Sequence, residues 1–263
     1  QPLVRRSYRE PIETFDTNVM GTAHVLNSVV SSNAANWAVV ITTDKVYRNV
    51  EKLEGYAEDE PLGGKDPYSA SKAGTEMVVS AWQTLASQSD KKISICAARA
   101  GNVIGGGDTA EDRLIPDLIR GFHAKSKTLI RNPESIRPWQ HVLDPLNGYL
   151  TIGVNLMEGK KISPAYNFGP GEESKLTVQE MAAYACSQWP ESLGIEIKVD
   201  PTAVPESGLL WLSSDLATKE LGWRNRFEAQ EAIGWTIEWE RESMSSTPLL
   251  ALDQQINSFF EAK

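Results

Sequence analysis

The chain has little cysteine, two residues in 263, and little histidine, three. Cys96 lies in an apolar strand pattern and Cys186 in a helical one, so both read as buried thiols rather than a disulfide, and a cytosolic setting is expected. His24, His123 and His141 are scattered without paired Cys or carboxylate spacing, which argues against a metal site. No apolar run reaches the ~18 residues needed to cross a bilayer. Basic clusters are short (Val4-Arg5-Arg6, Asp90-Lys91-Lys92, Gly159-Lys160-Lys161) against a net charge of −9, so a nucleic-acid-tracking surface is disfavoured. No Gly-Lys-Ser/Thr follows Gly105-Gly106-Gly107, which excludes a P-loop and leaves a flexible connection as the expectation. Gln1-Pro2-Leu3-Val4 opens the chain without Met and without the apolar core of a signal peptide.

What is present is ordinary for a globular protein, 41% hydrophobic and 23% charged residues, in a chain long enough for one large core or two lobes. Glu10 to Ser31 reads as a helix with Ile12, Phe15, Val19, Val25, Leu26 and Val29 on roughly one face. Trp37 to Thr43 reads as a buried strand, Val46 to Asp66 as a polar loop, Tyr68 to Ser87 as a second helix started by Asp66 and Pro67, and Ile93 to Ala100 as the next strand. Helix, strand, helix, strand predicts a parallel α/β sheet. Beyond Asn102 shorter elements follow: helices over Arg113 to Ala124, Val142 to Met157, Thr177 to Gln188, Ser213 to Leu221 and Ala229 to Glu240. Strand patterns fall at Thr128 to Arg137, Ala165 to Phe168 and Glu196 to Val199.

Two polar clusters punctuate this pattern. Thr42-Thr43-Asp44-Lys45 ends the first strand, and Tyr68-Ser69-Ala70-Ser71-Lys72 opens the second helix. Tyr68 and Lys72 stand at i and i+4 and share one helix face. A lysine ammonium near a phenol favours the phenolate, a base able to take a proton from a substrate hydroxyl. The plain alternative is a pair that only supports its helix. Likewise, Asp44 and Lys45 could form only a solvated turn, although strand ends facing a nucleotide crevice are where α/β sheets place their chemistry.

Tyr-x-x-x-Lys after a strand ending in Thr-Thr-Asp resembles the extended short-chain dehydrogenase/reductases, and within them the nucleotide-sugar 4,6-dehydratases. The likeness continues through Thr17-Asn18-Val19-Met20-Gly21-Thr22, Arg99-Ala100-Gly101-Asn102, Arg137-Pro138-Trp139-Gln140-His141-Val142-Leu143-Asp144, Trp211-Leu212-Ser213-Ser214-Asp215 and Leu221-Gly222-Trp223. Many members carry Glu after the Thr-Asp pair. Lys45 in that place, with Gly105-Gly106-Gly107-Asp108 after Asn102, resembles the branch acting on CDP-glucose.

The resemblance implies an incomplete NAD-binding Rossmann-type parallel sheet with a smaller mixed α/β substrate lobe. It expects residues 1–104 and 142–170 in the first, and 105–141 and 171–263 mainly in the second. The glycine-rich dinucleotide fingerprint of relatives has no counterpart here, so a chain starting partway into that domain is expected. The resemblance also implies catalytic roles for Thr43, Asp44, Lys45 and Tyr68, cofactor contacts from Thr42, Tyr68 and Lys72, and nucleotide-diphosphate contacts from Asn102 and Arg137. Tyr68 would deprotonate the sugar 4-hydroxyl and Asp44 would protonate the departing 6-hydroxyl. Lys45 stands where other dehydratases keep the carboxylate that removes the proton beside the new ketone. A lysine base needs a lowered pKa and Asp44 pulls the other way, so the division between these two stays open. Asn18 is expected to brace the active-site helix, Trp139 to be a candidate for lining the site, and the two long helices to pair with their copies in a homodimer. A related NAD-dependent nucleotide-sugar epimerase, dehydratase or decarboxylase, and a noncatalytic fragment, remain the rival readings.

Overall fold

In the computed structural model, residues 1–32, 35–91, 93–198 and 208–261 are described. The elements in chain order are α1 (Val4–Arg9), α2 (Pro11–Phe15), a π-helical turn (Asp16–Met20), α3 (Gly21–Ser31), β1 (Trp37–Ile41), a 3-10 turn (Asp44–Val46), α4 (Pro67–Ser87) and β2 (Ser94–Ala100). There follow β3 (Asn102–Ile104), α5 (Leu114–Ala124), β4 (Thr128–Ile130), β5 (Ile136–His141), α6 (Leu143–Met157), β6 (Ala165–Phe168) and a 3-10 turn (Glu172–Ser174). The rest comprises β7 (Lys175–Thr177), α7 (Val178–Ser187), β8 (Ile195–Ile197), α8 (Asp215–Leu221), α9 (Ala229–Ser245) and α10 (Pro248–Glu261).

The chain divides into two compact units. The first holds Gln1–Gly101, Leu146–Gly169 and Leu210–Arg224; the last of these segments had been expected in the other lobe. Its sheet runs β1-β2-β6, all parallel, with Ala38 opposite Ile95 and Ala98 opposite Tyr166. The central strand β2 is buried along nearly its whole length (Ile95, Cys96, Ala97, Ala98, Ala100), as a parallel strand covered on both faces must be. One face packs Leu26, Val79 and Ala86 from α3 and α4, and another cluster gathers Ile152, Leu156, Tyr166, Phe168 and Trp223. This is the parallel α/β sheet that the sequence pattern predicts and the Rossmann-type architecture that the family resemblance implies.

Several local expectations are corrected. The Glu10 to Ser31 segment is not one regular helix, because Asp16–Met20 is a π-turn. A π-turn holds more residues per turn than an α-helix and shifts the phase of everything before it. Ahead of the turn Ile12 faces outward at 75% exposure and the polar Thr14 is buried instead, Asn18 is buried within the turn, and after it Leu26 is buried while Val25, at 63%, faces outward. Strand β1 stops at Ile41 and is only half-buried, since it pairs with β2 on one side alone among the described residues. The Val46 to Asp66 loop is packed rather than merely polar: Val46, Tyr47 and Tyr56 form a core with Leu210 and Leu212, and the two tyrosine rings stack at 5.2 Å.

The second unit holds Asn102–Pro145, Pro170–Leu209 and Asn225–Lys263. It carries the mixed sheet β3-β5-β7, in which β5 and β7 are antiparallel, and the parallel pair β4-β8. Its core combines Leu118, Phe122, Ile130, Met181, Ile233, Ile237 and Phe259. The strand expected at Glu196 to Val199 is β8, one residue earlier in its start, and Val199 lies outside the described residues. Thr177 caps α7 through a reciprocal capping box with Glu180. Ser214 sits at the start of α8 without capping it by its side chain, because its Oγ serves the backbone of Gly169 instead.

Candidate active site

Helix α4 sets the first part of the site. Asp66 stands at its N-cap and accepts from Ser69 N, with Pro67 at the first helical position, where no amide partner is needed. This fixes Tyr68 in the first turn and Lys72 one turn later. Tyr68 is 8% exposed, and its backbone N–H donates to Ser7 Oγ at 3.1 Å. Lys72 Nζ donates to the carbonyl of Ile41, the last residue of β1, at 3.3 Å. Burial pushes the Lys72 ammonium below its ordinary pKa, and the charge of Glu76 one turn on opposes that shift. An ammonium has three donors, so one on Ile41 leaves two for a diol, which fits the ribose of a nicotinamide cofactor.

The helix is braced from below by the π-turn. Asn18 Nδ2 donates to Ser71 Oγ at 2.9 Å, and Thr75 Oγ1 donates to the Asn18 carbonyl at 2.9 Å. π-Turns leave carbonyls out of the regular ladder, which frees Asn18 for this cross-helix bond.

The second part is the turn after β1. Thr42, Thr43 and Asp44 are all buried, at 6, 8 and 3% exposure, and Lys45 is half-buried. Thr43 Oγ1 donates to Asp44 Oδ1 at 2.8 Å and accepts from Lys45 N at 3.4 Å. With its one proton on Asp44, the Thr43 hydroxyl orients that carboxyl and can only accept from a further partner. Helix α4 packs against this Asp44–Val46 turn, so Thr42, Thr43, Asp44, Lys45, Tyr68 and Lys72 all belong to the carboxyl end of the sheet in the first unit.

A buried network surrounds the turn that the sequence did not reveal. Arg99, at the end of β2, donates through Nε and Nη2 to both carboxylate oxygens of Glu76, at 2.9 and 2.8 Å. Thr42 Oγ1 donates to the same Glu76 at 2.5 Å, so its proton is committed to the protein and the hydroxyl can only accept from a further partner. Arg99 Nη1 donates to Tyr47 OH at 2.7 Å, and Tyr47 OH donates to Asn167 Oδ1 at 2.8 Å. Burial opposes the charge on Arg99, but the Glu76 carboxylate outweighs it and raises the guanidinium pKa above its usual value. Burial likewise pushes the Tyr47 phenol up to about 12, with Arg99 acting against it. The sequence signal for this network was a charged residue inside each of two apolar patterns, Glu76 on α4 and Arg99 in β2.

Asn102 and Arg137 lie in the second unit, on the adjacent strands β3 and β5, where Asn102 pairs with Trp139. Arg137 is half-buried and its Nη1 donates to the carbonyls of Ile136 and Gly208, so it is not a loose surface arginine. Trp139 is 6% exposed and packs in the core of that unit. The glycine loop is also not a flexible connection. Gly106 lies on the indole of Trp239, Gly105 against Val142, and Gly107, at φ +79°, donates its N–H to Glu240 at 2.8 Å. Only a residue without Cβ permits these approaches.

A parallel sheet whose first strand is followed at once by Thr-Thr-Asp, beside a helix carrying Tyr-x-x-x-Lys, defines a protein of the short-chain dehydrogenase/reductase type. The comparisons then narrow the class. The family described as GDP-mannose 4,6 dehydratase matches residues 1–236. A CDP-glucose 4,6-dehydratase of Salmonella typhimurium is 41% identical over 269 residues, covering 100% of this chain and 74% of that protein. A dTDP-glucose 4,6-dehydratase of Streptomyces antibioticus is 27% identical, over 91% of this chain and 68% of its own. Among solved structures, the Streptomyces venezuelae dTDP-glucose 4,6-dehydratase DesIV, with NAD and DAU bound, has the same fold. Its TM-score is 0.77 at 22% identity, covering 93% of this chain and 72% of its own. The chain belongs to this family of nucleotide-sugar 4,6-dehydratases.

Proposed function

We propose that the protein removes water from CDP-glucose, yielding CDP-4-dehydro-6-deoxyglucose, with NAD as its cofactor. The observation supporting this reading is that helix α4, which carries Tyr68 and Lys72, packs against the Asp44–Val46 turn after β1 while Lys72 Nζ reaches the last residue of that strand, joined to 41% identity across the whole chain with a CDP-glucose 4,6-dehydratase. The solved relative with NAD bound supports the cofactor, as does the pair of free donors on Lys72. The cofactor, held through Lys72, would supply a hydride acceptor for sugar C4 and the same hydride for C6.

The residues of the chain divide the proton work. Tyr68 takes the proton of the 4-hydroxyl as the C4 ketone forms, aided by the positive charge of Lys72. The new ketone acidifies the neighbouring C5–H, which Lys45 removes in this reading, while Asp44 delivers a proton to the departing 6-hydroxyl. The C5–H and C6–OH bonds break, water leaves and a double bond forms. Reduction at C6 with protonation at C5 then restores saturation, so the reaction is redox-neutral overall. Thr43 holds the Asp44 carboxyl in place for its step. Asn102 and Arg137 serve the diphosphate, with the planar guanidinium suited to paired phosphate oxygens. In this reading the first unit is the cofactor lobe and the second the substrate lobe.

Two further parts of the reading concern assembly and location. Val25, Met77 and Leu85 are 63, 63 and 50% exposed on α3 and α4, supporting a homodimer through these helices. Two free thiols, Cys96 and Cys186, support a reducing, cytosolic compartment. No helix among the described residues is long and apolar enough to cross a membrane. The test is to incubate the whole gene product with NAD and CDP-, dTDP-, UDP- or GDP-hexose and follow the 4-dehydro-6-deoxy product by NMR. Product from CDP-glucose alone is expected; turnover confined to inversion at C4 would overturn the dehydratase reading.

A further inference from the structure

The Arg99–Glu76 pair is buried and bonded to Thr42 and Tyr47 on either side of the Thr43–Val46 turn. Glu76 follows Tyr68 and Lys72 along α4 at intervals of four, so all three share a face, and it is 5% exposed. Its carboxylate binds the Arg99 fork and Thr42 Oγ1, while the remaining Arg99 nitrogen binds Tyr47 OH at 2.7 Å and the Glu58 carbonyl at 3.0 Å. Thr42 and Tyr47 are the residues directly before and after Thr43–Val46, the turn that carries Asp44 and Lys45. Both ends of that turn are therefore fastened to one buried ion pair, whose acid grows from the same helix as Tyr68 and Lys72. A second tie completes the arrangement, since Tyr47 OH also reaches Asn167 on β6 at 2.8 Å.

We propose that Arg99 and Glu76 are positioning residues, a clamp that fixes the Thr43–Lys45 turn against Tyr68 and Lys72, so that the elimination groups address the same sugar that Tyr68 deprotonates. The inference rests on the active-site reading above. A buried ion pair gives little net stability over apolar residues of equal volume, whereas a two-pronged guanidinium–carboxylate contact is directional. Direction is what the site needs, because displacement of a catalytic group by about 1 Å costs roughly 100-fold in rate. The pair joins three pieces of chain distant in sequence, α4, the end of β2 and the turn after β1, at the level where the reacting groups emerge.

The test uses substitutions that remove one hydroxyl each and leave the ion pair whole. Thr42→Val removes the hydroxyl and keeps the branched shape; Tyr47→Phe removes the hydroxyl and keeps the ring. With CDP-glucose and NAD, each is expected to lower kcat about 10-fold while KM for both stays within about 2-fold, consistent with a displaced turn rather than lost binding. Water elimination should slow more than C4 oxidation, so reduced nicotinamide accumulates during turnover, and Thr42→Ser should restore kcat. Unchanged kcat in both variants, a raised KM for NAD in Thr42→Val, or failure of Thr42→Ser to rescue would overturn the clamp. Tyr68→Phe and Asp44→Asn run alongside separate the two levels. If they abolish turnover and the clamp variants do nothing, the clamp alone falls; if they too are fully active, the active-site reading falls and takes the clamp with it.

Discussion

Lys72 and Glu76 stand one turn apart on α4, yet the carboxylate is bonded to Arg99 and Thr42 while the ammonium reaches the carbonyl of Ile41. The glutamate thus influences the lysine by charge without occupying its donors, leaving Lys72 available beside Tyr68. Tyr68→Phe keeps the ring and removes the proton acceptor, so turnover should fall by about 100- to 10,000-fold. Its melting temperature should stay close to the wild type. Single-turnover absorbance of reduced nicotinamide measures the step directly, and undiminished hydride transfer would remove Tyr68 from its role.

Asp44→Asn separates elimination from oxidation. The amide oxygen can still accept from Thr43 Oγ1, so the turn keeps its geometry, but the amide cannot deliver the proton that the leaving hydroxyl requires. Oxidation at C4 should persist while product formation falls by about 100- to 10,000-fold. Deuterium incorporation at C5 from heavy water reports whether Lys45 still exchanges that position. Water loss at the normal rate would show that another group supplies the acid.

The glycine loop gives a prediction about stability. A Cβ on Gly106 would overlap the Trp239 ring, and both belong to the second unit. Gly106→Ala should therefore destabilise by about 1–3 kcal/mol through overpacking. Adding Trp239→Leu should make the two changes less costly together than their sum. Strict additivity in urea denaturation would mean that the ring does not oppose the methyl group.

Much of this was legible in the chain. The helix that presents Tyr68 and Lys72 announces itself by Asp66-Pro67 and an apolar period, and β2 by seven residues dominated by small and apolar side chains. The Arg99–Glu76 pair was not legible, because residues far apart in sequence meet only once α4 is packed on β2. Nor was the outward turn of Ile12, which depends on the π-turn at Asp16–Met20 and not on local hydrophobicity. Helix α10 was overlooked although Ala251, Gln255 and Phe259 recur every four residues and are buried, because Gln255 masked the apolar spacing. Its amide donates to the Trp235 carbonyl at 2.7 Å, which is how a polar side chain occupies that face.

Asp144 and His141, three residues apart in the second unit, titrate against each other's effect on stability. Burial raises the Asp144 carboxyl from 3.8 to about 6, against the hydrogen bond it accepts from Arg226 N at 2.8 Å. Burial lowers the His141 imidazole from 6.5 to about 4. Between pH 4 and 6 the unfolded chain carries its proton on the histidine and the folded chain carries one on the aspartate. The two states then hold equal numbers of protons on this pair, and its net contribution to the pH slope is near zero. Asp144→Asn exposes the hidden slopes, since the amide can still accept from Arg226 N but cannot ionise. Above 3.8 the unfolded wild type gains by ionising Asp144 while the folded form does not until about 6, so the variant gains on the wild type as pH rises across that interval. The gain should total of order 3 kcal/mol and level off above pH 6, at about 1.4 kcal/mol per pH unit. The pair's contribution to the variant's stability should fall as pH drops from 6.5 toward 4, because of the two only His141 is left to titrate. Urea denaturation of both proteins from pH 4 to 8 checks this. A difference independent of pH would mean that Asp144 ionises alike in both states.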